Sequence, residues 1–111
     1  MKAALLDAAA SGRTLLMNEI NIGETYYIVS RKRGADRADL LLEEILPGLP
    51  VERWPNSFED IVQAARLKAE YPLSFTDCFA VTTALREDAS ILTGDPEFRR
   101  VEGIVAVEWI V

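Results

Sequence analysis

The 111-residue sequence has no histidine, one cysteine and no long apolar run, and each absence removes a class of chemistry. Without imidazole, proton transfer near neutral pH falls to carboxylates, to metal-bound water, or to Ser, Thr and Lys side chains. Cys78 has no partner for an intramolecular disulfide, which fits a reducing compartment such as the cytoplasm. One cysteine with no histidine also excludes an ordinary zinc site. No stretch approaches the roughly 18 apolar residues of a membrane span, and the start lacks a signal-peptide pattern, so no membrane partner is expected. Repeats, low-complexity tracts and linkers are missing too, so residues 1–111 read as a single domain. The net charge of −6 argues against a broadly basic nucleic-acid-binding face. It is compatible with an enzyme whose acids gather around a cation.

What is present is an alternation of strand and helix signals. TLLM (14–17), LPVERW (49–54), SILT (90–93) and IVAVEWI (104–110) read as strands. A helix is expected from Asn18 or Glu19 to about Arg33, stopped by Gly34, and another over 36–46, ended by Pro47-Gly48. Ser57-Phe58-Glu59-Asp60 is a capping-box start for a helix to about Glu70, where Tyr71-Pro72 breaks it. Ser74-Phe75-Thr76-Asp77 starts the next, to about Glu87, and a short helical turn follows over 96–100. Alternation of this kind predicts an α/β fold of three layers, a parallel sheet with helices on both faces.

Open parallel sheets bind ligands beyond the carboxyl ends of their strands, and three acids are expected there. Glu24 interrupts an apolar stripe of Ile20, Tyr27 and Ile28; a paired or rim position would also account for it. Asp77 heads the stripe Ala80, Val81, Ala84 and Leu85, although an acid in a first helical turn also serves as a cap. Asp95 follows the strand 90–93, where Asp before Pro96 is an ordinary helix start as well. Carboxylates brought to one sheet edge repel one another and stay ionised only around a divalent cation; oxygen ligands suit Mg²⁺ or Mn²⁺. A metal so held could activate water against a phosphodiester with no histidine.

These segments resemble the PIN domains, in particular the VapC-type toxin ribonucleases. NEINIGETYYIV is similar to the family's second acidic motif, with Glu24 in the acid's place. LSFTDCFAVTTAL resembles the third, with Asp77-Cys78 where Asp-Ala is usual, and ILTGDPEF the fourth, with Thr93, Asp95 and Phe98 in place. The resemblance implies a Mg²⁺- or Mn²⁺-dependent endoribonuclease acting on RNA. Such proteins are commonly homodimers and are neutralised by a small antitoxin protein. It further implies Glu24, Asp77 and Asp95 as catalytic metal ligands, Thr93 as a supporting hydroxyl and Glu97 as an outer acid. Arg31, Lys32, Arg33, Arg99 and Arg100 are the basic clusters that would meet RNA phosphates, or else solvated helix ends.

The family begins with a central strand ending in an acid, and the opening MKAALLDAAASG departs from this. Only about six residues separate Asp7 from Thr14, while a parallel crossover needs roughly a dozen. The stretch therefore reads as the tail of a helix, Asp7 as a helix-surface residue, and the chain as N-terminally truncated, lacking the family's first strand and first acid. On that reading an alternative stands beside the nuclease: a catalytically impaired remnant acting as an interaction or dimerisation module. A receiver-type phosphoacceptor domain also gathers acids at strand ends, but its acid pair after the first strand and its downstream lysine are not found.

Overall fold

The computed structural model describes residues 5–8 and 15–110. Its five strands are β1 (Leu5–Ala8), β2 (Leu15–Asn18), β3 (Val51–Trp54), β4 (Ala89–Thr93) and β5 (Val107–Trp109), in the sheet order β3-β2-β1-β4-β5. The pairs β2–β3 and β4–β5 are parallel, as expected of the α/β class. β1 runs antiparallel to both of its neighbours, so the sheet is mixed.

β1 corrects the reading of the opening stretch. Residues 5–8 are strand, and they occupy the centre of the sheet. So few residues between Asp7 and Thr14 do exclude a parallel crossover, but an antiparallel neighbour needs only a short connection. Because β1 is reversed, Asp7 pairs in register with Leu15 and Ser90, at the amino ends of β2 and β4. Asp7 thus lies at the end of the sheet opposite to Thr93 and Asp95. The rest of the opening, including Ser11-Gly12, lies outside the described residues.

Among the described residues four α-helices connect the strands: α1 (Glu19–Arg33), α2 (Ala35–Leu40), α3 (Phe58–Glu70) and α4 (Phe75–Glu87). α1 starts on Asn18, whose Oδ1 accepts the Ile20 N–H at 2.9 Å, and stops at Gly34, which adopts the positive φ of 92° that glycine tolerates. Asn18 is also the knot of the β2 exit. Its Nδ2 donates to Thr83 Oγ1 (2.8 Å) and Asn56 Oδ1 (2.7 Å), and Asn56 Nδ2 donates back at 3.0 Å, so a fully buried amide is satisfied at both ends. The helix expected over 36–46 is α2 followed by a π-helical turn at Leu41–Ile45 and a 3₁₀ turn at Leu46–Gly48.

α4 is the helix around which the rest packs, touching β4, β1, β2, α1 and α3. Every residue from Asp77 to Ala84 is buried, so the expected one-sided stripe widens to nearly the whole circumference, while Leu85 is exposed. Enclosure by the sheet and two helices explains why a stripe alone did not describe it. Leu16 and Ile91 join Phe79, Val81, Phe98 and Val101 in the core, and Met17, pointing the other way from β2, is buried too. The sheet is therefore covered on both faces at β2.

Candidate metal centre

β2 and β4 end side by side in direction, with β1 between them, and their chains then diverge: β2 leads towards β3, β4 towards β5. That divergence is the topological switch point of an open α/β sheet, where ligand sites form. Three segments meet there: the β4 exit, the first turn of α4 and the inner face of α1.

At the β4 exit, buried Thr93 accepts the Asp95 N–H on its Oγ1 (3.0 Å), and Asp95 Oδ1 accepts the Glu97 N–H (3.0 Å). Asp95 thereby caps the 3₁₀ turn Pro96–Val101, as its position before Pro96 suggested. Its other oxygen, Oδ2, is buried and has no hydrogen-bond partner among the described residues.

Asp77 is fully buried in the first turn of α4, and neither carboxylate oxygen has a partner among the described residues. Ser74 Oγ caps the helix by accepting the Asp77 N–H at 3.2 Å. The reciprocal arm of a capping box is not formed, since the Asp77 side chain turns inward instead. Burial pushes its carboxyl up to about 6 from an ordinary 3.8. The nearby Ser74 side chain opposes the shift, and the negative charges of Glu24, Asp95 and Glu97 add to it. Ligand atoms of Asp77, Asp95 and Glu97 lie within 4.8 Å of one another.

Glu24 approaches from α1 but is held differently. Thr76 Oγ1 donates to its Oε2 at 2.6 Å, and one turn earlier on α1 Asn21 Nδ2 donates to the Thr76 carbonyl at 2.9 Å. Sequence reasoning passed over both contacts. Asn21 is buried with its Oδ1 unpartnered among the described residues; the stripe expected at Ile20, Tyr27 and Ile28 is not the buried face of α1, since Ile20 and Tyr27 are exposed and Asn21, Ile22 and Thr25 are the buried residues.

A family model described as the PIN domain matches residues 2–104. The chain belongs to the PIN domain family. PIN domains are in general metal-dependent nucleases acting on RNA or DNA. Neither curated proteins nor solved structures yielded a match.

The donor set of this PIN domain fits a hard divalent cation. Its candidate donors are all carboxylate oxygens, and three of those oxygens are buried with no partner among the described residues, a state that costs several kcal/mol per ion unless a cation answers it. The basic residues lie further out. Arg31, Lys32 and Arg33 form the exposed last turn of α1, about 10–14 Å along the helix from Glu24 at ~1.5 Å per residue. Arg99 stacks over the Trp109 ring at 5.6 Å, and Arg100 Nη1 donates to the Pro72 carbonyl at 2.6 Å. Elsewhere, a cavity of about 570 Å³ between α3 and α4 is lined by Asp60, Thr82 and Arg86 and shares no residue with the acids. No helix among the described residues is long and apolar enough to cross a membrane.

Proposed function

We propose that this PIN domain is a VapC-type endoribonuclease that hydrolyses RNA phosphodiesters with Mg²⁺ or Mn²⁺. The carrying observation is the buried Asp77 carboxylate, without a partner among the described residues, drawn together with Asp95 and Glu97 at the switch point. Asp77, Asp95 and Glu24 would hold the cation, and Glu97 would flank the set as an outer acid. When bound, the cation supplies an activated water and charge stabilisation for the leaving oxygen.

The protein's own residues supply the rest. Thr93 fixes the Asp95 backbone, so the carboxylate is presented from a rigid turn rather than a loose loop. Burial of Asp77 excludes competing water from one side of the cluster and strengthens each electrostatic contact there. The exposed basic turn 31–33 offers RNA phosphates a partner beyond the acids. By resemblance to VapC toxins, a small antitoxin would cover the acidic cluster, and a cytoplasmic homodimer is the expected assembly.

The test is cleavage of a single-stranded RNA by the purified protein with Mg²⁺ or Mn²⁺. Activity abolished by chelator and lost in Asp77→Asn supports the reading. A folded, stable protein that cleaves nothing at millimolar Mn²⁺ would overturn it in favour of the interaction module.

A further inference from the structure

We infer that Thr76 is a positioning residue of this site, setting the Glu24 carboxylate against Asp77; the inference rests on the metal-site reading above. Thr76 is the place where α1 grips the start of α4. Two α1 side chains one turn apart hold it at two points, Asn21 on its carbonyl (2.9 Å) and Glu24 on its hydroxyl (2.6 Å).

The direction of the hydrogen bonds follows from counting protons. A threonine hydroxyl has one, and Glu24 Oε2 accepts it. The contact between Thr76 Oγ1 and Ser74 Oγ at 3.2 Å must then run from Ser74 to Thr76. Ser74 in turn accepts the Asp77 N–H at 3.2 Å. A continuous relay therefore connects the Asp77 backbone, through Ser74 and Thr76, to Oε2 of Glu24, while Oε1 of Glu24 takes no part in it. A bond of 2.6 Å is short and directional, so it restrains the rotamer of Glu24. Sequence could not single out Thr76, because the residue before an acid in a helix's first turn ordinarily faces solvent.

Partners behind a metal ligand typically change metal affinity by roughly 10–100-fold when removed. The test measures Mn²⁺ binding by calorimetry on the full chain for wild type, Thr76→Val, Thr76→Ser, Glu24→Gln and the Thr76→Val/Glu24→Gln pair. Expected is a loss of about tenfold or more in Thr76→Val, with near-wild-type affinity in Thr76→Ser. The pair should bind no worse than Glu24→Gln alone, because Thr76 acts through Glu24. Wild-type affinity in Thr76→Val, an equal loss in Thr76→Ser, or additive losses in the pair would each overturn the inference. Should Thr76→Val fail to fold, Thr76→Ala in the same cycle carries the same expectations. An Asp77→Asn control separates the two readings: if it binds Mn²⁺ like wild type, the metal site itself is wrong rather than the role of Thr76.

Discussion

Asp60 and Asp77 occupy the same place in almost the same tetrapeptide, Ser57-Phe-Glu-Asp60 and Ser74-Phe-Thr-Asp77, at the start of adjacent helices. In both, the serine hydroxyl accepts the aspartate N–H, at 3.1 Å and 3.2 Å. The carboxylates then part company. Asp60 Oδ2 closes its box by accepting the Ser57 N–H at 2.9 Å and pairs with Arg86. Asp77 points inward to other acids and finds no partner among the described residues. Hydrogen bonding from the Ser57 backbone and then Arg86 holds the Asp60 carboxyl below its ordinary range, whereas burial drives Asp77 up to about 6. A local motif fixes where a helix begins, and the tertiary surroundings decide whether its acid is a strut or a ligand.

The largest expected effect that separates the two is on metal binding and stability in opposite senses. Asp77→Asn removes an ion from a site that disfavours ions, so the metal-free protein at pH 7 should gain about 1–2 kcal/mol while Mn²⁺ binding is lost. Asp60→Asn breaks a completed cap and an ion pair and should cost about 1–2 kcal/mol, with Mn²⁺ binding retained. Urea denaturation in EDTA and calorimetry with Mn²⁺ read both quantities. A destabilised Asp77→Asn would mean that its carboxylate has a partner in solution.

The pH dependence sharpens the same contrast. Between about 3.8 and 6 the folded state keeps a proton on Asp77 that the unfolded chain has released. Its contribution is therefore full at low pH and is lost as pH rises through about 6, a total near 3 kcal/mol at ~1.36 kcal/mol per unit. Asp60, with a lowered folded value, acts in reverse: its contribution is present above 3.8 and fades as the solution is acidified. In EDTA, the difference in stability between wild type and Asp77→Asn should grow from pH 4 to pH 7. Saturating Mg²⁺ should reverse the trend for wild type alone, since a bound cation stabilises the ionised cluster, by ~2.7 kcal/mol at a hundredfold excess over Kd.

The same tetrapeptides show what was legible in the sequence. Caps and stops placed α1, α3 and α4 within a residue or two, because Asn18, Gly34, Ser57 and Ser74 act on their immediate neighbours. The strands at 15–18 and 89–93 followed from apolar runs, whereas the half-polar strand at 51–54 followed from its place between two helices. β1 did not, since a four-residue strand owes its state to pairing with Leu16 and Ile91, far along the chain. Asp77 was visible at the head of an apolar stripe and Asp95 at a strand exit, whereas Ile20 and Tyr27 of the stripe that singled out Glu24 are exposed. The division among the acids was not visible: that Glu97 joins Asp77 and Asp95 while Glu24 is tied to Thr76 depends on how α1 docks against α4.

The smallest effect tests which part of the Asp60 environment matters. Arg86 pairs with Asp60 and Glu87 and lies 5.1 Å over the Trp54 ring, yet a third of its side chain is exposed. Solvent screens such a pair, so Arg86→Met, which keeps the stem against Trp54, should cost only about 0.5–1 kcal/mol. The Ser57 N–H is the stronger influence on Asp60 and survives this substitution. An NMR titration should then find the Asp60 carboxyl raised relative to wild type but still below 3.8. A return to 3.8 would make the guanidinium the main cause, and the completed capping box would no longer explain why two matching tetrapeptides hold such different acids.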